Sequence, residues 1–190
     1  MASFEFFTVL LSFVVSLGVA TLLLGVARLI QEAGRVHFSF AWALWALVIF
    51  DLQVTFWLKS WGYREGYSLK VETSIPPLAL AIVAFIACAL ATPPIPDDGP
   101  IDLRGFHARH GRKYQIAYAI FMFLAIIQSV LMSDIAADQS PLTSDIVVQT
   151  MLALAAIAAA VFRKHRWLQI AIPAALLVSA IVFYGRLMEQ

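Results

Sequence analysis

One cysteine, Cys88, is all the chain has, so a disulfide within it is excluded. Cys88 sits inside an apolar run, where it reads as a small packing residue. Charge is almost as scarce: 13% of the 190 residues are Asp, Glu, Lys or Arg, about half the share of an ordinary soluble domain. Motifs that carry chemistry are missing too. There is no Walker A loop, HExxH site or CxxC pair, no TVGYG filter, no arginine ladder of a voltage sensor, and no lysine in the last apolar segment. An enzyme is therefore not the favoured reading. Its only candidate chemistry is His107 and His110 with the nearby acids Asp97, Asp98 and Asp102, and these show no standard metal-ligand spacing.

What the chain has in abundance is apolar surface, with 62% hydrophobic residues and a mean hydropathy of +0.85. A single core in a protein of this size leaves too much area exposed to hide it, and lipid is the solvent that fits. A spanning helix takes about 20 mostly apolar residues. Six stretches qualify, at 6–30, 38–61, 75–91, 114–132, 146–162 and 168–184. Continuous apolar runs argue for helices, since a transmembrane barrel alternates polar and apolar residues. The expectation is an all-α polytopic membrane protein, about six transmembrane helices in one compact domain. The first stretch lacks a basic leader and a small-residue cleavage site, so it is expected to stay as a span.

Local punctuation agrees with these limits. Gly34 and Arg35 separate the first two segments, and Pro76-Pro77 stand where the third should begin. Pro93, Pro94 and Pro96 end that segment. Thr143, Ser144 and Asp145 are N-cap candidates for the fifth, and Pro173 is expected to bend the sixth. Of the thirteen Lys and Arg, nine fall on one side: Arg28, Arg35, Arg104, Arg109, Arg112, Lys113, Arg163, Lys164 and Arg166. Lys59, Arg64, Lys70 and Arg186 fall on the other. The positive-inside rule makes the first side cytoplasmic and leaves both termini outside. Trp42, Trp57, Trp61, Tyr63, Tyr67, Tyr114, Trp167 and Tyr184 stand near the expected interfaces, as aromatic belts do.

Asp51 is the most informative single residue. It lies near the centre of the second span, where a charge costs about 2.5–3.5 kcal/mol on insertion scales. A proton carrier or a cation site would justify that cost; so would an acid hydrogen-bonded between helices. Thr55 and Lys59 follow on the same helix face, with Lys59 two turns outward, and Gln53 adds an amide on the opposite face. Gln128 and Ser129 on the fourth span and Gln149 and Thr150 on the fifth fall in the outer half. If they converge, they form a polar vestibule above Asp51; if not, they are hydrogen bonds between helices.

Gly18, Thr21, Gly25 and Arg28 make one stripe on the first helix. It reads as a close helix contact, or as a groove for an anionic head group or other anion hooked by Arg28. Ser12 and Ser16 lie on a different face. The alanine-rich fifth segment permits tight packing, inside the bundle or between protomers. Residues 104–113 read as a basic solvated loop, in which His107 and His110 are the pH-sensing candidates.

Residues 4–31, ending Gly25-Val26-Ala27-Arg28-Leu29-Ile30-Gln31, resemble the start of small bacterial multi-span inner-membrane proteins, and Ala43-Leu44-Trp45-Ala46-Leu47-Val48 adds to the likeness. The resemblance implies a location in the bacterial inner membrane and brings no activity. The expected function is a small channel or permease for an ion, proton or small polar solute. The alternative is a non-catalytic subunit, sensor or assembly factor of a larger membrane complex. No cofactor, metal or nucleic acid is expected. The partners expected are the lipid bilayer and either further copies of the chain or a larger complex.

Overall fold

The computed structural model describes residues 2–60, 71–132 and 142–188. Over these the protein is all-α: α1 (Ala2–Gln31), α2 (Phe40–Ser60), α3 (Val71–Ala91), α4 (Leu103–Met132), α5 (Leu142–Val161) and α6 (Leu168–Met188). One short parallel pairing, β1 (Val36–His37) with β2 (Ile101–Asp102), ties two loops together. Glu5–Gln31, Phe40–Ser60, Ser74–Ala91 and Leu103–Leu131 are long and apolar enough to cross a membrane. The remaining two helices carry shorter apolar segments over their described residues, Ile146–Val161 and Leu168–Val182. Large apolar side chains such as Phe13, Phe123, Met151 and Ile181 point outward, as they do on a body solvated by lipid.

Helix α3 packs against α1, α2 and α4; α5 lies along α4; α6 closes against α2 and α5. The close approach around α3 comes from its small residues. Ala81, Ala84, Ala87, Cys88 and Ala91 recur at helical spacing and are all buried. Gly18 of α1 is the matching notch: a Cβ there would stand 2.2 Å from Gln53 Nε2 and 3.3 Å from the Phe85 backbone. Gly25 takes the Thr92 methyl in the same way. The glycine stripe of α1 is thus a helix contact, with Thr21 bonding its own helix at Leu17 and Arg28 exposed beyond it. Ser12 accepts from Trp57 Nε1 of α2 at 3.1 Å, whereas Ser16 is exposed. The alanines of α5 turn inward, with Ala156, Ala159 and Ala160 buried.

Helix ends at the basic side are tied by side chains from their neighbours. Trp42 Nε1 donates to the Ala91 carbonyl at 2.9 Å, meeting one of the carbonyls that the end of α3 leaves open. Arg35 donates to Gly99 O at 3.0 Å and Pro96 O at 2.9 Å, and pairs with Glu32 at 3.1 Å. Gly99 has φ +88, a conformation that disfavours any side chain there. Asp102 caps α4, accepting from the Arg104 and Gly105 amides at 3.0 Å each. Those amides, Gly105 first, hold its carboxyl below the usual carboxylate range.

Several expectations need correction. Residues 104–113 are not a loop but the first turns of α4. At about 1.5 Å per residue its 30 residues reach about 45 Å, well beyond a hydrocarbon core of about 30 Å. In this extension Leu103, Phe106 and Tyr114 turn inward while Arg104, Arg109, Arg112 and Lys113 stay exposed, so amphipathic spacing rather than an apolar run makes it helical. Helix α3 starts at Val71, which puts Pro76 and Pro77 inside its early turns, not at its start. Helix α5 starts at Leu142, so Thr143, Ser144 and Asp145 fall within its first turn rather than before it. The expected belt is only partly one. Trp167 is exposed, but Trp42 and Tyr114 are buried in the bundle. Trp61, Tyr63, Tyr67, Arg64 and Lys70 lie outside the described residues, as does the side chain of Arg186.

Candidate functional site

Asp51 sits in the middle of α2, half-buried at the seam with α6. Tyr184 of α6 donates its hydroxyl to Asp51 Oδ1 at 2.8 Å, and Thr55 Oγ1 and Tyr184 Oη bond one another at 2.8 Å. The one-turn spacing of Asp51 and Thr55 sets both oxygens on the same face, where one phenol reaches them together. Tyr118 of α4 also lies within electrostatic reach of Asp51. The result is a carboxyl, a phenol and an alcohol held together by two helices. Such a set can bind and release a proton, or offer three oxygens to a small cation.

The other amides and hydroxyls do not gather above it. Gln53 points away, is 0% exposed, and donates to Cys88 Sγ of α3 at 3.4 Å, with its Oε1 buried and unbonded. Gln149 of α5 donates to Ser129 of α4 at 3.3 Å. Gln128 is buried beside that pair in sequence, its Oε1 unbonded. Thr150 is exposed and bonds the Ile146 carbonyl of its own helix at 2.7 Å. The seven residues therefore divide into separate groups: Asp51 and Thr55 with α6, Gln53 with α1 and α3, Gln128, Ser129 and Gln149 along α4 and α5, and Thr150 alone on the outer face of α5. A single vestibule over Asp51 is not what they build.

A second polar centre lies at the basic end. His107 bonds the Tyr114 hydroxyl through Nδ1 and Gln169 Oε1 through Nε2, the latter at 3.1 Å. Gln115 Nε2 donates to the same Gln169 Oε1 at 2.7 Å, and Gln169 Nε2 donates to the Ala159 carbonyl of α5 at 2.7 Å. Tyr114, Gln115 and Gln169 are buried. His110 takes no part; it stacks on Phe106 with ring centroids 5.0 Å apart. Gln115 and Gln169 carry the same signal as Gln53, an amide inside an apolar helix, but only the packing of α6 against α4 and α5 brings them together. Tyr184 has no comparable signal, because its position near a helix end fits an interface residue equally well.

Among the described residues, no group of three or more His, Cys, Asp or Glu side chains could hold a metal ion. Asp97 and Asp98 are exposed and Asp102 is engaged as a helix cap, so His107 and His110 gain no acidic partner from them.

The chain matches no protein-family model, no curated protein and no solved structure.

Proposed function

We propose that this protein is a small integral membrane channel or permease that moves a proton or a small cation, with Asp51 as the group that takes the charge. The observation carrying the reading is the Asp51–Tyr184–Thr55 cluster. A carboxyl in mid-membrane is costly, and this one is only partly buried with two hydroxyls beside it, which suits repeated loading and release. The separate locations of Gln53, Gln128 and Gln149 argue for a small charged species over a larger polar solute, which would need a continuous polar lining. The test is flux in proteoliposomes, followed with an interior pH dye and with monovalent cations. Asp51→Asn is expected to lower transport at least about a hundredfold, the low end of the range for losing a general acid–base group. Wild-type rates in the variant would remove Asp51 from the mechanism.

The chain is proposed to cross the bacterial inner membrane six times with the nine-cation end cytoplasmic. In a Cys88→Ser background, Glu5→Cys should react with an impermeant maleimide on intact cells, and Lys164→Cys only after permeabilisation. The opposite pattern would invert the orientation.

A second reading, a non-transporting subunit or assembly factor of a larger membrane complex, is favoured by the use of most buried amides in contacts between helices. It expects a stoichiometric partner on purification in mild detergent together with unchanged flux in Asp51→Asn.

A further inference from the structure

The direction of every hydrogen bond in the His107 cluster is fixed from one end. The Ala159 carbonyl can only accept, so the Gln169 amide must turn its NH2 toward it and its Oε1 toward α4. Oε1 then receives Gln115 Nε2 and His107 Nε2, and His107 must carry its hydrogen on Nε2. In the neutral ring Nδ1 is left as an acceptor, and the Tyr114 hydroxyl is the donor that meets it. Donation runs from Tyr114 to His107, from His107 to Gln169 and from Gln169 to the Ala159 carbonyl, from α4 through α6 to the end of α5.

We propose that this chain is a proton-operated latch: neutral His107 holds α4, α5 and α6 together at the basic end, and protonation there releases the α5–α6 hairpin. A second proton must go to Nδ1, because Nε2 already has one. Nδ1–H then takes the Tyr114 oxygen as its acceptor, and the hydroxyl must rotate so that its hydrogen, which had pointed at Nδ1, turns elsewhere. Trp45, packed on the Tyr114 ring with centroids 6.2 Å apart, offers an N–H that is itself unbonded, not an acceptor. Gly111 backs the pair so closely that a Cβ would stand 3.2 Å from His107 Nδ1 and 3.4 Å from the Tyr114 oxygen, which leaves little slack for rearrangement. The charged group facing His107 from the α5–α6 turn is Arg163, a second cation. Tyr114 is the titratable neighbour on α4, Gln169 on α6 is neutral, and no acid bonds His107. The inference does not depend on what the protein transports.

Hydrogen exchange on the full chain in nanodiscs tests it. Corrected for intrinsic rates, amides of residues 159–170 should exchange about five- to tenfold faster at about pH 5.5 than at about pH 8. His107→Gln, which keeps a donor for Gln169, should lose that step, while His110→Gln and His165→Gln keep it. A step of unchanged size in His107→Gln, or no step in the parent, overturns the latch. Nitrogen-15 histidine spectra of the unaltered protein give an independent check at the higher pH. The latch requires His107 to be the neutral Nε2–H tautomer, and an Nδ1–H or doubly protonated ring would refute it.

Discussion

Replacing Trp45 by alanine is expected to destabilise the bundle by about 3–5 kcal/mol, the range for emptying a buried aromatic site. Trp45 is 0% exposed, among the largest of the wholly buried side chains. It joins α2 to α4, with its ring 6.2 Å from those of both Tyr114 and Tyr118, tilted at 51° to the first and edge-on at 80° to the second. Lipid does not refill such a site, because the walls are helices already packed against one another. The packing loss therefore stands even where the hydrophobic effect between helices is weak. Trp45→Phe should cost much less. It keeps a ring in the site and removes an indole N–H that is buried without a partner, a group whose desolvation is itself unfavourable by about 1–3 kcal/mol. Equilibrium unfolding in mixed micelles measures both variants. A loss below about 1 kcal/mol for the alanine variant would show that α2 and α4 are not held through this residue.

The second large effect is expected at Gly18. A valine there must displace the Gln53 amide, since even a Cβ would sit 2.2 Å from Nε2, and it must also push back the α3 backbone, since Phe85 Cα is 3.3 Å away. Gln53 is a flexible side chain but is wholly buried, so it has little room to retreat. Overpacking of this kind costs about 1–3 kcal/mol, and here it also wedges α1 from α3. A double variant, Gly18→Val with Gln53→Ala, should recover part of the loss by making room. In the same unfolding assay, strictly additive losses would mean that the two residues do not meet.

The lesson for reading such a chain lies in where polar residues end up. Asp51 announces itself, because a carboxyl in an apolar helix is expensive whatever surrounds it. Its partner Tyr184 does not, since a tyrosine near a helix end is equally at home in the head-group region. Helical spacing ties Asp51 to Thr55 and separates both from Gln53, as the structure bears out. Spacing along one helix is silent about which neighbouring helix a face meets. For that reason Gln128, Ser129 and Gln149 could be placed at one depth without showing that they lie apart from Asp51. The basic stretch 104–113 misleads for a different reason. Its arginines suppress the apolar signal, yet Leu103, Phe106 and Tyr114 keep an inward face one and two turns apart.

The all-α class, the apolar helices and the grouping of cations between particular segments are legible in the chain alone, because they follow from each segment's own hydropathy and from the need of a backbone amid apolar side chains to bond within itself. That α6 meets α2 at Asp51, that His107 faces Tyr114 and Gln169, and that the remaining amides serve separate helix pairs came from the packing of the helices. Those outcomes depend on which faces come together, and that is set by small residues such as Gly18 and Ala84 admitting a neighbour, a property of pairs of helices rather than of any one of them.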